Sequence, residues 1–274
     1  MTGSFRAACV QMRTGLDVAA NIAAASALIR EAKSQGADFI ATPEMTSLFE
    51  AETDALFAKT KPEADDPALA AFRALGRELG VWLLIGSLPI RVAERQCANR
   101  SFLIEPSGTV VATYDKIHMF DVDLPGGEVY RESRNYRAGE KAVLADLPWG
   151  KLGLTVCYDL RFPQLYRALA KAGASFITIP AAFTHTTGQA HWHVLQRARA
   201  IETGCFIIAP AQAGTHENRR RTYGHSLIVD PWGAVIAEAG EEPGVILADI
   251  DPAKVAEARG RVPALTHDRR FILS

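Results

Sequence analysis

Apolar runs of strand length alternate with longer amphipathic stretches along the chain. Short runs rich in aliphatic and aromatic residues and bounded by turn residues predict strands. These runs lie at residues 5–11, 39–42, 81–88, 152–156, 176–179 and 206–209. The stretches that predict helices lie at 18–33, 67–79, 163–171 and 188–202, and Asp66 is placed to cap the second of them. This alternation predicts parallel strands with helices packed on the sheet.

A nine-residue pattern occurs twice, at residues 104–112 and 229–237. Both copies have an aliphatic residue, an acid, Pro, any residue, Gly, any residue, Val, an aliphatic residue and Ala. Pro followed two residues later by Gly favours a turn between strands, so each copy predicts a hairpin. A chance coincidence of turn residues is the alternative to a true repeat.

The repeat predicts two similar halves, each with a sheet of parallel and antiparallel strands. Two such sheets packed face to face, with helices outside, form a four-layer α-β-β-α sandwich with a pseudo-twofold internal repeat. The fold class is therefore α/β. The 274 residues contain no low-complexity linker, so we expect residues 1–274 to form a single domain.

Composition and charge exclude several function classes. The formal net charge is −1, so no basic field exists to hold nucleic acid or an anionic membrane. Neither a run of ~18 apolar residues nor a secretory leader is apparent, so we expect no membrane association. Cys9, Cys97, Cys157 and Cys205 form no Cys-x-x-Cys pair, which favours a reducing, cytoplasmic location over a disulfide scaffold or a zinc knuckle.

We expect no cofactor and no metal. The chain lacks a Gly-x-Gly-x-x-Gly motif, a phosphate-binding loop and the Gly-x-Ser-x-Gly motif of serine hydrolases. His191 and His193 are two residues apart in a predicted helix and therefore point to different faces. Asp121 and Asp123 lack the further spacing of a calcium loop.

Cys157 is the first candidate for catalysis. It follows an apolar strand and precedes a helix that is predicted to start at Pro163. Active sites of α/β sheets form at strand ends, and a nearby helix N-terminus favours the reactive thiolate. The alternative is a buried structural cysteine, which is our interpretation of Cys9 and Cys205.

Two charged residues also follow predicted strands. Glu44 lies just beyond the second strand and could serve as a general base. Lys116 ends the first hairpin, where an ammonium group could stabilise an oxyanion. Each residue alone is an ordinary surface residue in most proteins.

Taken together, the three segments resemble the nitrilase-like carbon–nitrogen hydrolases. The segments are Pro43-Glu44, the run Tyr-x-Lys-x-His-x-Phe-Asp at 114–121, and Val-Cys-Tyr-Asp-x-Arg-Phe-Pro at 156–163. The resemblance covers essentially the whole chain and includes residues 187–192, 197–202, 223–226 and 230–233. Among the branches of this family, residues 200–206, 211–214 and 221–226 are most similar to the deaminated-glutathione amidases.

The resemblance implies an α-β-β-α fold and a catalytic set of Glu44, Lys116, Cys157 and Glu132, which is sixteen residues after Lys116. Glu44 would take the thiol proton, and Lys116 with the backbone N–H of Tyr158 would hold the oxyanion. Glu132 would hold Lys116. The family also implies a homodimer or higher homo-oligomer with helices near Cys157 at the interface.

Candidate substrate-binding residues are Tyr158, Arg161, Phe183, Thr184 and His191. The guanidinium of Arg161 could clamp a substrate carboxylate, or form a structural ion pair with Asp159. The predicted loop 212–223 contains Arg219, Arg220 and Arg221. It is either a solvated loop or a contact for the terminal carboxylate of a substrate.

The expected partner is a small-molecule amide, most specifically deaminated glutathione. Within the same chemistry, the alternatives are an omega-amidase acting on 2-oxoglutaramate and an N-carbamoyl amine hydrolase. Outside it, the alternatives are a catalytically idle scaffold or binding protein and a Cys–His peptidase.

Overall fold

A computed structural model describes residues 3–125 and 127–274. The helices in this part of the chain are α1 Val18–Ser34, α2 Thr53–Lys59, α3 Pro67–Leu79, α4 Pro163–Lys171, α5 His185–Thr203 and α6 Ala253–Arg261. The strands are β1 Phe5–Gln11, β2 Phe39–Ala41, β3 Trp82–Ala93, β4 Gln96–Ile104, β5 Val110–Asp115, β6 Asp121–Asp123, β7 Val129–Arg131, β8 Tyr136–Arg137, β9 Val143–Leu147, β10 Gly150–Leu154, β11 Ala174–Thr178, β12 Phe206–Ala209, β13 Ala213–Thr215, β14 Arg221–Tyr223, β15 Leu227–Val229, β16 Val235–Glu238 and β17 Gly244–Ile250.

The first sheet has the order β17-β1-β2-β3-β4-β5, and the short strand β8 pairs with β4. β1, β2 and β3 are parallel to one another. β4 and β5 form the predicted antiparallel hairpin beside β3, and β17 is antiparallel to β1 at the opposite edge.

The second sheet has the order β16-β15-β12-β11-β10-β9 and repeats the arrangement of the first. β10, β11 and β12 are parallel, β15 and β16 form the hairpin, and β9 is the antiparallel edge strand. Helices α1 and α4 occupy equivalent places after the first parallel strand of each half. The predicted pseudo-twofold repeat is confirmed. β9, which comes after the first hairpin and the short strands β6 to β8, pairs with β10 of the second sheet, and β17, which follows the second hairpin, pairs with β1 of the first sheet, so the two halves are tied together.

Alternating side chains divide the core into layers, because successive residues of a strand point to opposite faces. In β1, Ala7 and Cys9 belong to the apolar cluster shared with the second sheet. Ala8 and Val10 belong to a separate cluster with α1 and α3. Helices α4 and α5 pack on the second sheet. These contacts confirm the predicted α-β-β-α sandwich.

Local rules explain most helix ends. The side chain of Asp66 caps α3 by accepting a hydrogen bond from the backbone N–H of Leu69 at 2.8 Å, as predicted. α5 starts three residues earlier than expected, because Thr184 caps it by accepting from the N–H of Thr187. Gly204 ends α5 in the left-handed conformation.

A glycine lets the two sheets meet where the polar residues collect. A Cβ atom on Gly86 of β3 would lie 2.0 Å from the carbonyl oxygen of Thr42 and 2.5 Å from the Cβ of Pro180. Thr42 ends the β2 segment, and Pro180 follows β11 of the second sheet. Only glycine therefore permits this approach. No helix in residues 3–125 and 127–274 is long and apolar enough to cross a membrane.

Candidate active site

Three side chains from both sheets meet at the strand ends. Glu44 follows β2, Lys116 follows β5 directly, and Cys157 follows β10. All three line one cavity of about 700 Å³. Glu132, which lies in a short 3-10 turn after β7, also lines it. The structure thus brings together the four residues that the sequence nominated for catalysis.

Glu44 and Glu132 share the buried ammonium group of Lys116. Its Nζ lies 2.9 Å from Oε1 of Glu44 and 2.7 Å from Oε2 of Glu132. Lys116 is only 2% exposed. An ammonium group buried this deeply needs paired acids, since an isolated buried charge is strongly unfavourable.

Asn99 joins the two carboxylates, and sequence analysis missed it. Its Nδ2 donates to Glu44 Oε1 at 2.8 Å and to Glu132 Oε1 at 3.0 Å. The backbone carbonyl oxygen of Asn99 also accepts a hydrogen bond from the backbone N–H of Lys116 at 3.0 Å. The indication in the sequence was a polar residue inside the apolar strand β4, where a side-chain amide must find partners.

Backbone geometry sets the position of Cys157. The residue has φ of 50°, in the left-handed region that non-glycine residues seldom adopt. Its N–H donates to the carbonyl of Pro180 at 2.9 Å, which ties the turn to the segment after β11. Cys157 and Glu44 both line the cavity, and the charge of Glu44 acts on the thiol. Strained backbone of this kind is typical of functional sites.

Buried Asp159 secures the turn that follows Cys157. One carboxylate oxygen accepts the N–H of Val156 at 2.9 Å and the hydroxyl of Tyr114 at 2.6 Å. The other lies 2.7 Å from Nδ1 of His118. Asp159 therefore pairs with His118 and Tyr114, and the ion pair with Arg161 that we considered is not formed.

The sequence matches a known family along nearly its whole length. A family model of carbon–nitrogen hydrolases matches residues 6–260. The chain belongs to the carbon–nitrogen hydrolase family. It is 41% identical over 268 residues to a deaminated glutathione amidase of Synechocystis sp., with 96% of this chain and 97% of the relative covered.

Solved structures agree with this assignment. The NitFhit protein of C. elegans superposes with a TM-score of 0.90 at 35% identity, covering 98% of this chain and 66% of that one. A glutamate-to-glutamine mutant of an amidase from Nesterenkonia sp. AN1 superposes with a TM-score of 0.81 at 25% identity, covering 95% and 97%. In that mutant the acetamide moiety of fluoroacetamide is covalently added at the active site cysteine. This carbon–nitrogen hydrolase is therefore an amidase.

The charges of the hydrolase site follow from burial and pairing. Burial raises the pKa of Cys157 well above its usual value, and the charge of Glu44 raises it further. Burial opposes ionisation of Glu44 as well, but Lys116 outweighs it and lowers the pKa of that carboxyl. Burial likewise disfavours the ammonium of Lys116, yet Glu132 and Glu44 raise its pKa well above 10.5. These directions favour a thiol, a carboxylate and an ammonium in the resting site, which is the arrangement that proton transfer from Cys157 to Glu44 requires.

Three of the five candidate substrate-binding residues line the cavity of the hydrolase. They are Tyr158, Phe183 and Thr184. Arg161 and His191 are not among the residues that line it in the described part of the chain. They contact each other, with both terminal nitrogens of Arg161 3.3 Å from Nδ1 of His191, and Arg161 lies over the ring of Phe183 at 5.2 Å.

The predicted loop 212–223 is largely a β-hairpin in the hydrolase. Ala213–Thr215 and Arg221–Tyr223 pair as β13 and β14. Arg219, Arg220 and Arg221 all line the active-site cavity. The structure thus places this basic segment at the site. The pairing of its strands was not predicted, because the sequence around Gly214 is polar and lacks the alternation of a strand.

One further cluster lies outside the cavity. His193, His225 and Glu238 offer ligand atoms that lie within 4.8 Å of one another. Nε2 of His193 and Nδ1 of His225 are 2.8 Å and 3.0 Å from the same oxygen of Glu238. One nitrogen of each imidazole ring therefore already has Glu238 as its hydrogen-bond partner.

Proposed function

We propose that this carbon–nitrogen hydrolase cleaves deaminated glutathione to 2-oxoglutarate and cysteinylglycine. The observation that carries the proposal is the 41% identity, over 96% of the chain, to relatives named deaminated glutathione amidase. The cavity of about 700 Å³ at the Cys157 thiol is within the range of small-molecule sites and has room for a substrate of tripeptide length.

The first half-reaction forms a thioester on Cys157. Glu44 accepts the thiol proton as the sulfur attacks the amide carbonyl, and Lys116 with the backbone N–H of Tyr158 stabilises the oxyanion. Tyr158 lies at the start of a 3-10 turn, where the N–H groups have no partner within the turn. The C–N bond then breaks, and Glu44 returns the proton to the leaving amine.

The second half-reaction uses the same groups in reverse roles. Glu44 removes a proton from water, which attacks the thioester carbonyl, and the C–S bond breaks to release the acid. The proton on Glu44 returns to the thiolate. Glu132 keeps Lys116 in place through hydrogen bonds of 2.7 Å and 3.0 Å and balances its charge while Glu44 is protonated.

Substrate competition tests the choice of amide. We expect a higher kcat/KM for deaminated glutathione than for 2-oxoglutaramate under the same conditions. A preference of tenfold or more for 2-oxoglutaramate would assign the chain to the omega-amidases. Acid quenching during turnover, followed by intact mass spectrometry, should find the acyl group on Cys157, and the Cys157→Ala variant should carry none.

We also propose the setting in which the enzyme works. A single domain is supported by the apolar cluster that joins residues of both sheets. A homodimer or higher homo-oligomer is supported by large apolar side chains exposed on α5 and on the second hairpin. A cytoplasmic location is supported by four free cysteines, all buried.

A further inference from the structure

The positively charged side chain of Arg220 forms part of the wall of the active-site cavity. It lies between β13 and β14, and it lines the cavity. Its guanidinium stands 4.8 Å from the ring centre of Phe49 and 4.7 Å from that of Tyr130. Two aromatic rings fix the plane of the group and favour its charge.

The guanidinium of Arg220 makes few hydrogen bonds within the protein. Nη2 donates to the carbonyl oxygen of Ala182 at 3.2 Å. Nε is buried and has no hydrogen-bond partner. A guanidinium offers five N–H donors, so most of this capacity remains open.

Two of the other arginines at the cavity have acids of their own, and the remaining two, Arg134 and Arg219, are exposed to solvent. Arg131 pairs with Asp123 at 2.7 Å, and Arg221 lies 3.8 Å from Glu241. No carboxylate oxygen lies within 4.0 Å of the Arg220 guanidinium in residues 3–125 and 127–274. A half-buried cation without an anion costs stability unless a ligand supplies the anion.

Arg220 is also close to the reacting groups. The carbonyl oxygen of Ala182 accepts from Arg220, while the N–H of the same residue donates to Oε2 of Glu44 at 2.8 Å. One residue therefore connects the guanidinium to the catalytic carboxylate. A carboxylate four carbon–carbon bonds from the scissile carbonyl lies ~5 Å from it, and one that ends a dipeptide leaving group lies ~7 Å away.

We infer that Arg220 forms a carboxylate-binding subsite that selects anionic amides. The inference rests on the proposed function only for the identity of the substrate, since deaminated glutathione has a carboxylate at each end. It replaces Arg161, which the sequence favoured for this role and which contacts His191 outside the cavity lining. Arg220 binds and orients substrate and takes no part in proton transfer.

The test compares Arg220→Met and Arg220→Lys with the wild type. Methionine keeps much of the packing between Phe49 and Tyr130 but has no charge. Lysine keeps the charge but lacks the planar guanidinium that can donate two parallel hydrogen bonds to a carboxylate. Arg95→Met is the matched control, because Arg95 also lies over a phenylalanine ring and pairs with an acid, but does not line the cavity. Melting temperatures of all variants check folding.

Four amides separate the outcomes: deaminated glutathione, its form amidated at the glycine carboxylate, 2-oxoglutaramate and the uncharged butanamide. Arg220→Met should raise KM for deaminated glutathione, and for each other amide that keeps the bound carboxylate, at least ~10-fold, the typical loss of a charge-assisted hydrogen bond. KM for butanamide should change less than ~2-fold, and Arg220→Lys should recover part of the loss. Arg95→Met should leave all four unchanged.

The substrate arms locate the carboxylate. A loss that vanishes with the glycine-amidated substrate assigns Arg220 to the leaving-group end, and a loss that persists with 2-oxoglutaramate assigns it to the 2-oxo acid. Equal losses for butanamide and the anionic amides would overturn the inference. If the wild type prefers another anionic amide and Arg220→Met still raises its KM selectively, the proposed substrate fails while the subsite stands.

Discussion

The Cys157 thiol is buried, and both its burial and the charge of Glu44, a carboxylate that Lys116 keeps ionised, raise its pKa. A low-dielectric site favours proton transfer between neighbours over release of an ion, because an isolated charge is poorly solvated there. Proton transfer to Glu44 is therefore favoured when the sulfur attacks a substrate carbonyl, since the negative charge then leaves the sulfur as the new C–S bond forms.

Removal of the nucleophile should abolish turnover and leave the fold intact. Cys157→Ala deletes one sulfur atom at a 6% exposed position, and no other thiol lines the cavity among its described residues. We expect activity below about 1% of wild type, because the covalent route is lost. The matched control is Cys205→Ala, a buried cysteine near α6 that should keep near-normal activity. Activity and melting temperature are measured together; more activity than this in Cys157→Ala would exclude Cys157 as the nucleophile.

Replacement of Lys116 should damage both steps of the reaction. Lys116→Met removes an oxyanion donor, which typically costs ~10²–10³ in kcat. It also removes the charge that lowers the pKa of Glu44, so burial then raises that pKa. The acid limb of the remaining activity should therefore move to higher pH. A kcat–pH profile measures both effects. Lys151→Met, an exposed lysine in β10, is the control, and an unchanged acid limb in Lys116→Met would contradict the assigned charges.

The sequence was sufficient to nominate a catalytic residue where a single reactive side chain follows a predicted strand. Glu44, Lys116 and Cys157 met that condition and were nominated together. Asn99 did not, because its role depends on which carboxylates the sheet brings to its amide. Arg161 and Arg220 show the same limit: a guanidinium's use depends on the nearest partner in space, which sequence distance from the nucleophile does not reveal.

At the level of elements, the β13–β14 hairpin is held against the first half by His216. Its Nδ1 lies 2.8 Å from the carbonyl of Thr14, and its Nε2 lies 2.7 Å from the hydroxyl of Thr222. A carbonyl can only accept, so Nδ1 donates and Nε2 accepts from the hydroxyl. The neutral ring with its proton on Nδ1 satisfies both bonds, and burial of the ring disfavours a second proton. The hairpin that presents Arg220 is therefore held by a histidine that burial keeps neutral.

Acid should weaken this attachment. Burial lowers the pKa of His216 to about 4, below the unfolded value of 6.5. Between these values the unfolded chain binds a proton that the folded chain does not, so stability falls as the pH decreases through this window. The loss from this group between pH 7 and pH 5 is about 2 kcal/mol.

Urea unfolding of wild type and His216→Gln at pH 7 and pH 5 measures that loss. The glutamine side chain does not titrate, so the variant should lack this part of the pH dependence while other groups contribute equally to both proteins. An identical pH dependence in the two proteins would mean that His216 is protonated in the folded state. The attachment of the hairpin was not predicted, because His216 binds the carbonyl of Thr14 in the other half, and the sequence around the hairpin does not reveal that partner.

On the scale of the whole molecule, the repeat was the most informative pattern in the sequence. The copies at 104–112 and 229–237 became the β4–β5 and β15–β16 hairpins of two equivalent sheets. Strand lengths and turns sufficed for that prediction. The exchange of β9 and β17 between halves was not predictable, because edge pairing depends on packing between sheets and not on local propensity. That exchange makes independent unfolding of one half unfavourable.

Exposed apolar residues give the last prediction, which concerns assembly. Val194 and Ile201 are two helical turns apart on α5 and are 68% and 56% exposed. Ile201 packs on Gly233, next to Trp232, which is 59% exposed. Such a surface between α5 and the second hairpin is typical of an interface.

We therefore expect the wild type to be at least a dimer and Ile201→Glu with Trp232→Glu to shift it toward monomer, because each substitution places a charge in a surface that is otherwise apolar. Analytical ultracentrifugation over a range of concentrations measures the dissociation. Val111→Glu, at a 44% exposed position outside the cavity lining, is the control for added charge, and it should sediment as the wild type does. Thr184 caps α5 and lines the cavity, so loss of the dimer should also lower kcat/KM. A wild type that sediments as a monomer at all concentrations would show that this surface is not an interface and that the active site is complete within one chain.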